Sequence, residues 1–291
     1  MVNADVRSKD VAINGVCSPV WEAGPPDSAQ AVVFVHGNPG PTKEFVPLLV
    51  RVGAFARALA PDMPGFGRAD KPEDFDYTVP GYAHHLAGVL DALGVDRAHL
   101  VLHDFGGPWG LQWAAGHPDR FASVVLTNAG VFFDYRWHFF ARMWRRKWVG
   151  EAFMRTFNYP ALRLTMRLGA KRRIPEEALR AMWDNLSPQT RRAVLKLYRA
   201  TDLAQQAPEF RRALLPLRRP ALVVWGARDI FISETLAARQ REVFPDAEIE
   251  ILQDSGHFPY LDDPKAVAAT VIPFLRAHCA DNEGPGKSVD G

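Results

Sequence analysis

Residues 98–107, Ala98-His99-Leu100-Val101-Leu102-His103-Asp104-Phe105-Gly106-Gly107, run from an apolar, β-rich stretch into a tight turn of small and polar residues. Helical spacing resumes at once, over Leu111 to Ala115. A continuous apolar run that ends abruptly is the mark of a strand buried on both faces. The pattern recurs. Ala31 to Val35 leads into His36-Gly37-Asn38-Pro39-Gly40, and Ser123 to Thr127 follows the helix after residue 107. Ala221 to Trp225 ends at Gly226-Ala227-Arg228-Asp229, and Ala247 to Leu252 ends at Gln253-Asp254-Ser255-Gly256-His257. Tyr82 to Leu93 carries apolar residues at helical spacing and stops at Gly94. Strands alternating with helices predict an α/β fold, a mostly parallel sheet flanked by helices. Polar residues at the carboxyl ends of such strands meet in one crevice, where sites of this architecture form.

Composition agrees with one large core. The 291 residues are 47% hydrophobic and 23% charged, and the net charge of +2 offers nothing to nucleic acid. Two cysteines, Cys17 and Cys279, are too few for a disulfide framework, so reduced thiols and a cytoplasmic setting are expected. The N-terminus has no apolar run, and no stretch reaches the roughly 18 to 20 apolar residues of a membrane span. Charge is unevenly spread, however. Residues 131–215 hold 18 Lys and Arg against 7 Asp and Glu, leaving 17 against 26 elsewhere. Their helical spacing is broken by Asn158-Tyr159-Pro160, Ile174-Pro175 and Ser187-Pro188, so 131–215 reads as an inserted helical domain. The core is then 1–130 and 216–280, with 281–291 a small, polar, loose tail. Arg145-Arg146-Lys147 and Lys171-Arg172-Arg173 read as solvated helical faces. Homo-oligomerisation is left open.

Asp104 stands at the apex of a strand, sharp turn and helix, the layout of a nucleophile elbow. Attack by a carboxylate on an acyl carbon would give an anhydride. Attack on saturated carbon instead displaces an alkoxide or halide and leaves an ordinary alkyl ester, which water can cleave at its carbonyl. That second step needs a base. His257 follows a late strand and can supply it, and Asp229 can orient the imidazole and stabilise its charged form. Singly, each has a plainer reading: a helix N-cap for the aspartates, a surface turn for the histidine. Together, each directly after its own strand and in the order nucleophile, acid, histidine, they read as a triad. His84-His85 and His103 lack metal-ligand spacing, and this chemistry requires neither metal nor cofactor.

These residues resemble the α/β-hydrolase superfamily, and within it the aspartate-nucleophile branch of epoxide hydrolases, haloalkane dehalogenases and fluoroacetate dehalogenases. The carriers are His36-Gly37-Asn38-Pro39, Asp62-Met63-Pro64-Gly65-Phe66-Gly67, His103-Asp104-Phe105-Gly106-Gly107, Gly226-Ala227-Arg228-Asp229 and Gly256-His257, covering roughly residues 30 to 275. The resemblance implies a helical cap at 131–215, rich in bulky aromatics, over a pocket for a small apolar substrate and water. It implies an oxyanion hole from the backbone amides of Asn38 and Phe105, and a pocket bordered by His36, Trp109, Trp137 and Phe258. Epoxide hydrolases protonate the opening ring with cap tyrosines, and Phe133-Asp134-Tyr135-Arg136 and Leu197-Tyr198-Arg199-Ala200 resemble those segments, making Tyr135 and Tyr198 the candidate acids. Haloalkane dehalogenases resemble this chain in Asn38 but place tryptophan after the nucleophile. Here Phe105 has no side-chain N–H, so Trp109 or Trp137 would have to substitute. Fluoroacetate dehalogenases carry arginine at that position. The expected activity is epoxide hydrolysis to a diol, with dehalogenation the alternative and a non-catalytic binding protein a third reading from a different class.

Overall fold

The computed structural model describes residues 6–168 and 171–280, so the expected tail at 281–291 lies outside the described residues. Its centre is an eight-stranded sheet. The strands are β1 (Arg7–Ile13), β2 (Val16–Ala23), β3 (Gln30–Val35), β4 (Arg57–Pro61), β5 (Arg97–His103), β6 (Phe121–Thr127), β7 (Ala221–Gly226) and β8 (Glu248–Leu252), in the order β1-β2-β4-β3-β5-β6-β7-β8. From β4 to β8 every pairing is parallel; β1 pairs antiparallel with β2, and β2 with β4.

The continuous apolar runs have a direct cause. Val33, Val35, Leu100 and Leu102 point into one hydrophobic cluster, while their neighbours Val32, Phe34 and Val101 point into another on the opposite face. Helices α2 (Val79–Ala92) and α3 (Gly106–Gly116) cover the first face. Helix α1 (Val46–Gly53) and the C-terminal helix α12 (Pro264–Ala280) cover the second. Strands β1, β2 and β4 escaped the sequence reading. β1 is an edge strand with mostly exposed side chains, β2 carries Pro19, and β4 has only five residues, so none shows an apolar run.

Six helices lie between β6 and β7: α4 (Phe139–Trp144), α5 (Val149–Thr156), α6 (Tyr159–Arg167), α7 (Glu176–Asn185), α8 (Pro188–Ala200) and α9 (Leu203–Leu214). The apparent breakers are helix starts. Asn158 and Ser187 cap α6 and α8 by accepting from the amides of Ala161 and Thr190, with proline in the first turn of each. The uneven charge also finds a use: Lys171 pairs with Asp254, Arg172 with Asp263, and both Arg192 and Lys196 with Glu73. Basic residues of the segment between β6 and β7 thus meet acidic residues of the flanking chain. Two short helices, α10 (Thr235–Arg239) and α11 (Pro259–Asp262), complete the fold. Among the described residues no helix is long and apolar enough to cross a membrane. Cys17 and Cys279 are both free thiols.

One buried ion pair ties the antiparallel edge to the parallel core. Arg57 donates to Glu22 at 2.9 Å and to the carbonyls of Ser28 and Leu93, each at 2.9 Å. Removing one member of such a pair leaves an uncompensated buried charge, so Arg57→Met should cost about 3–5 kcal/mol of unfolding free energy in a urea titration. A loss within 0.5 kcal/mol, about that of an ordinary surface substitution, would contradict this.

Candidate active site

The carboxyl ends of β3, β5, β6, β7 and β8 bring the site together. Asp104 follows β5 with φ of 48°, a left-handed conformation unusual for a side-chain-bearing residue, and α3 starts two residues later. This lifts the carboxylate off the sheet. The turn works only with small neighbours: a Cβ on Gly106 would come within 2.1 Å of the Val35 carbonyl oxygen. One on Gly37 would meet Asp104 Oδ1 at 2.3 Å and the Phe105 amide nitrogen at 2.6 Å. The β3 turn can therefore lie against the elbow, and Asn38 donates its backbone N–H to Asp104 Oδ1 at 2.7 Å. Of the two amides expected to form an oxyanion hole, that of Asn38 thus bonds this carboxylate, and that of Phe105 is next to it in the chain.

His257 stands between the two aspartates. Its Nδ1 lies 2.7 Å from Asp229 Oδ2 and its Nε2 3.5 Å from Asp104 Oδ2. Asp229 also accepts from the amides of Phe231 and Ile232 and from Asn128 Nδ2 at 2.7 Å. An acceptor on Nδ1 requires that nitrogen to carry its proton, which aims Nε2 at Asp104. Burial opposes charge on His257, but Asp229 and Asp104 outweigh it and hold the imidazolium well above the ordinary histidine range. Burial would likewise raise Asp104, but His257 overrides it and keeps the carboxyl below its usual value.

A narrow apolar cavity of about 60 Å³ opens over Asp104 and His257. Tyr198 of α8 borders it, with Asn38 Nδ2 3.4 Å from the phenol oxygen, and Phe258 lines its wall. Tyr135 and Trp137 line a smaller recess that also reaches Asp104, Phe105 and Tyr198. The Tyr135 hydroxyl lies 3.5 Å from the Phe231 carbonyl, a loose contact. Burial pushes both phenols above their ordinary range, so they keep their protons as donors.

Two expected pocket residues are elsewhere. His36 is buried behind the turn: Nε2 accepts from the Met63 amide at 2.9 Å, and Nδ1 faces the Gly37 carbonyl at 2.8 Å, so both ring nitrogens brace backbone. Trp109 points into the core, stacked on Tyr82 with ring centroids 4.0 Å apart, because it faces α2 rather than the crevice. Neither lines the cavity, and the indole of Trp109 cannot serve there as a halide donor.

Three contributors were not picked out from sequence. Asn128 follows β6 directly and bridges Asp229 and the Gly226 amide; a polar residue just after a buried strand was the available signal. His138 lines both cavities and caps α4 by accepting from the Ala141 amide at 3.3 Å, and its burial lowers its pKa to about 4, leaving it neutral. Phe231 stacks edge-on to His257 at 5.0 Å. No local pattern marks either of these two.

A family model described as the alpha/beta hydrolase fold matches residues 30–264. The chain belongs to the α/β-hydrolase family. This α/β-hydrolase is 30% identical over 283 residues, 90% of its length and 93% of the relative's, to a cis-3-alkyl-4-alkyloxetan-2-one decarboxylase of Xanthomonas campestris pv. campestris. It is 29% identical over 262 residues, 86% of its length and 87% of the relative's, to haloalkane dehalogenase 2 of Mycobacterium tuberculosis. Its fold is shared with epoxide hydrolase A from Mycobacterium thermoresistibile at a TM-score of 0.80 and 21% identity, over 94% and 98% of the two chains.

Proposed function

We propose that this α/β-hydrolase opens epoxides through a covalent ester on Asp104 and hydrolyses that ester to a diol. The observation that carries this reading is Tyr198. Asn38 Nδ2 donates to its oxygen, so the hydroxyl hydrogen is left for a substrate in the cavity that Asp104 also borders. Opening an epoxide develops alkoxide charge, which needs a proton. A departing halide needs N–H donors instead; Phe105 has no side-chain N–H and Trp109 faces away, which leaves Asn38, Trp144 and Trp137 around the two cavities to supply them.

Asp104 Oδ1 is held by the Asn38 amide, so Oδ2 attacks the ring carbon. The C–O bond breaks, and the oxygen takes the proton of Tyr198 or Tyr135. Once alkylation has neutralised Asp104, the His257 imidazolium gives its Nε2 proton to solvent, and it takes one back when Asp104 is ionised again. The free Nε2 then accepts a proton from water, whose oxygen adds to the ester carbonyl carbon. Negative charge on Oδ1 is met by the amides of Asn38 and Phe105. Collapse expels the diol alkoxide, which takes the proton from His257. The proton left on the Asp104 carboxyl returns to the tyrosine, and the sum is epoxide plus water to diol.

A second strained ring is favoured by the 30% identical relative, whose name specifies an oxetan-2-one. The test is therefore one panel: an aryl epoxide scored for diol, a bromoalkane for bromide, and a cis-3,4-dialkyloxetan-2-one for carbon dioxide. Diol should form with the highest kcat/KM. Bromide or carbon dioxide without diol would displace the epoxide reading.

The tyrosines sharpen it. Tyr135→Phe combined with Tyr198→Phe deletes only two hydroxyls, so the fold should survive while epoxide opening falls about 10²-fold or more, as for loss of a donor aimed at developing charge. Epoxide turnover like wild type in the double variant would reject the tyrosines as acids.

A further inference from the structure

Beneath the triad, three buried side chains that line neither cavity form a row. Glu44, in the turn after β3, has Oε2 3.4 Å from the Tyr260 hydroxyl. That hydroxyl is 3.2 Å from His103 Nδ1, and His103 Nε2 is 2.8 Å from the backbone carbonyl oxygen of His257. Proton accounting gives the row a direction. A carbonyl oxygen only accepts, so His103 Nε2 carries its hydrogen. Burial holds His103 neutral, with its pKa driven down to about 3, so Nδ1 is a bare lone pair. The single Tyr260 hydrogen goes to Nδ1, which leaves the Tyr260 oxygen free to accept from Glu44 Oε2, 3.4 Å away. Only a protonated Glu44 can donate.

An ionised Glu44 would reverse the Tyr260 hydrogen, leave His103 Nδ1 facing a lone pair, and bury a charge whose Oε1 has no partner. Among the described residues no cation pairs with it. The groups facing it are Tyr260 and, beyond it, Asp262 from the α11 segment and His103 and Asp104 from the elbow. Asp62 at the end of β4 bonds the Thr42 amide of the same turn, His36 at the end of β3 is a neutral brace, and Lys43 beside it is exposed.

We propose that Glu44 is a positioning residue: as a carboxylic acid it heads a one-way hydrogen-bond chain through Tyr260 and His103 that fixes the main chain of His257 over the Asp104 ester. The proposal rests on His257 acting as the base of the hydrolytic step. Because burial lifts the Glu44 pKa to about 8, the chain is intact at neutral pH and is lost as pH rises through that value.

The test follows ester hydrolysis in single turnovers of the full chain with an aryl epoxide, from pH 7 to pH 9.5. Wild type should slow by about 10-fold as the chain breaks, since small misplacements of a catalytic group carry penalties of that size or more. Glu44→Gln, whose amide still donates to Tyr260 but does not titrate, should stay flat over the same range. Glu44→Leu should be slow at both ends, with the alkylation burst preserved. An alkaline fall retained in Glu44→Gln, or wild-type hydrolysis in Glu44→Leu, overturns the proposal. Infrared difference spectra of wild type minus Glu44→Gln at pH 7 give a readout free of catalysis. A protonated-carboxyl C=O stretch is expected, and its absence also overturns the proposal. If His257→Gln accumulates no alkyl-enzyme, the reading of His257 fails and takes the proposed role with it, while the infrared band still reports the protonation of Glu44.

Discussion

Asp104→Ala should abolish epoxide turnover by about 10⁴-fold or more, the scale on which removal of a covalent nucleophile acts. No other carboxylate described here borders the apolar cavity, so nothing stands ready to take over the displacement. The accompanying isotope result is more diagnostic than the rate. In the first turnover in heavy-oxygen water, the incoming oxygen adds to the ester carbonyl and stays on Asp104, while the product carries the original carboxylate oxygen. Mass spectrometry of the peptide containing Asp104 should therefore show the label. Label found only in the diol after one turnover would mean direct attack by water, and the covalent reading would fall.

The second large effect is expected at His257. Replacing it with glutamine should release no more than about one equivalent of product-forming chemistry: alkylation proceeds, then hydrolysis slows by about 10³-fold, within the usual range for a general base. The electrostatics explain the division. In the free enzyme Asp104 and Asp229 together hold the imidazolium charged. Alkylation neutralises Asp104, so one of the two charges lifting His257 disappears and its pKa falls. The proton it sheds leaves a base beside the ester. Hydrolysis should accordingly rise with pH up to about pH 7, the ordinary range in which an imidazolium deprotonates, before the fall expected as Glu44 ionises. Alkylation should not respond between about pH 5 and pH 8, because His257 keeps the carboxyl below the ordinary range of about 3.9. Rapid-quench measurement of each half-reaction against pH separates the two. A burst that is lost in His257→Gln, in a protein shown to be folded, would place the histidine in the first step instead.

The strands and the order of the three chemical residues were legible because both leave local marks. A strand covered on two faces must be apolar at every position, and its end must be a turn, so Ala31–Val35, Ala98–Leu102 and Ala221–Trp225 announce themselves. Asp104 follows Ala98–Leu102, Asp229 follows Ala221–Trp225 and His257 follows the later run Ala247–Leu252, and a parallel sheet gathers such ends at one edge. Strands β1, β2 and β4 left no such mark: β1 is a largely exposed edge, β2 is interrupted by Ser18, Pro19 and Glu22, and β4 has only five residues, so their pairing owes more to a neighbour's backbone than to an apolar pattern of their own. The same limit governs the site. His36 and Trp109 sit in the right segments, but whether a buried ring faces the crevice or its back depends on residues far along the chain, Met63 for one and Tyr82 for the other. The row from Glu44 to His257 joins positions 44, 260, 103 and 257. Sequence alone determined which residues end the strands and so can reach the crevice. Only the tertiary structure decided which polar groups share hydrogens there, because a hydrogen bond is set by distances across the sheet that no local spacing records.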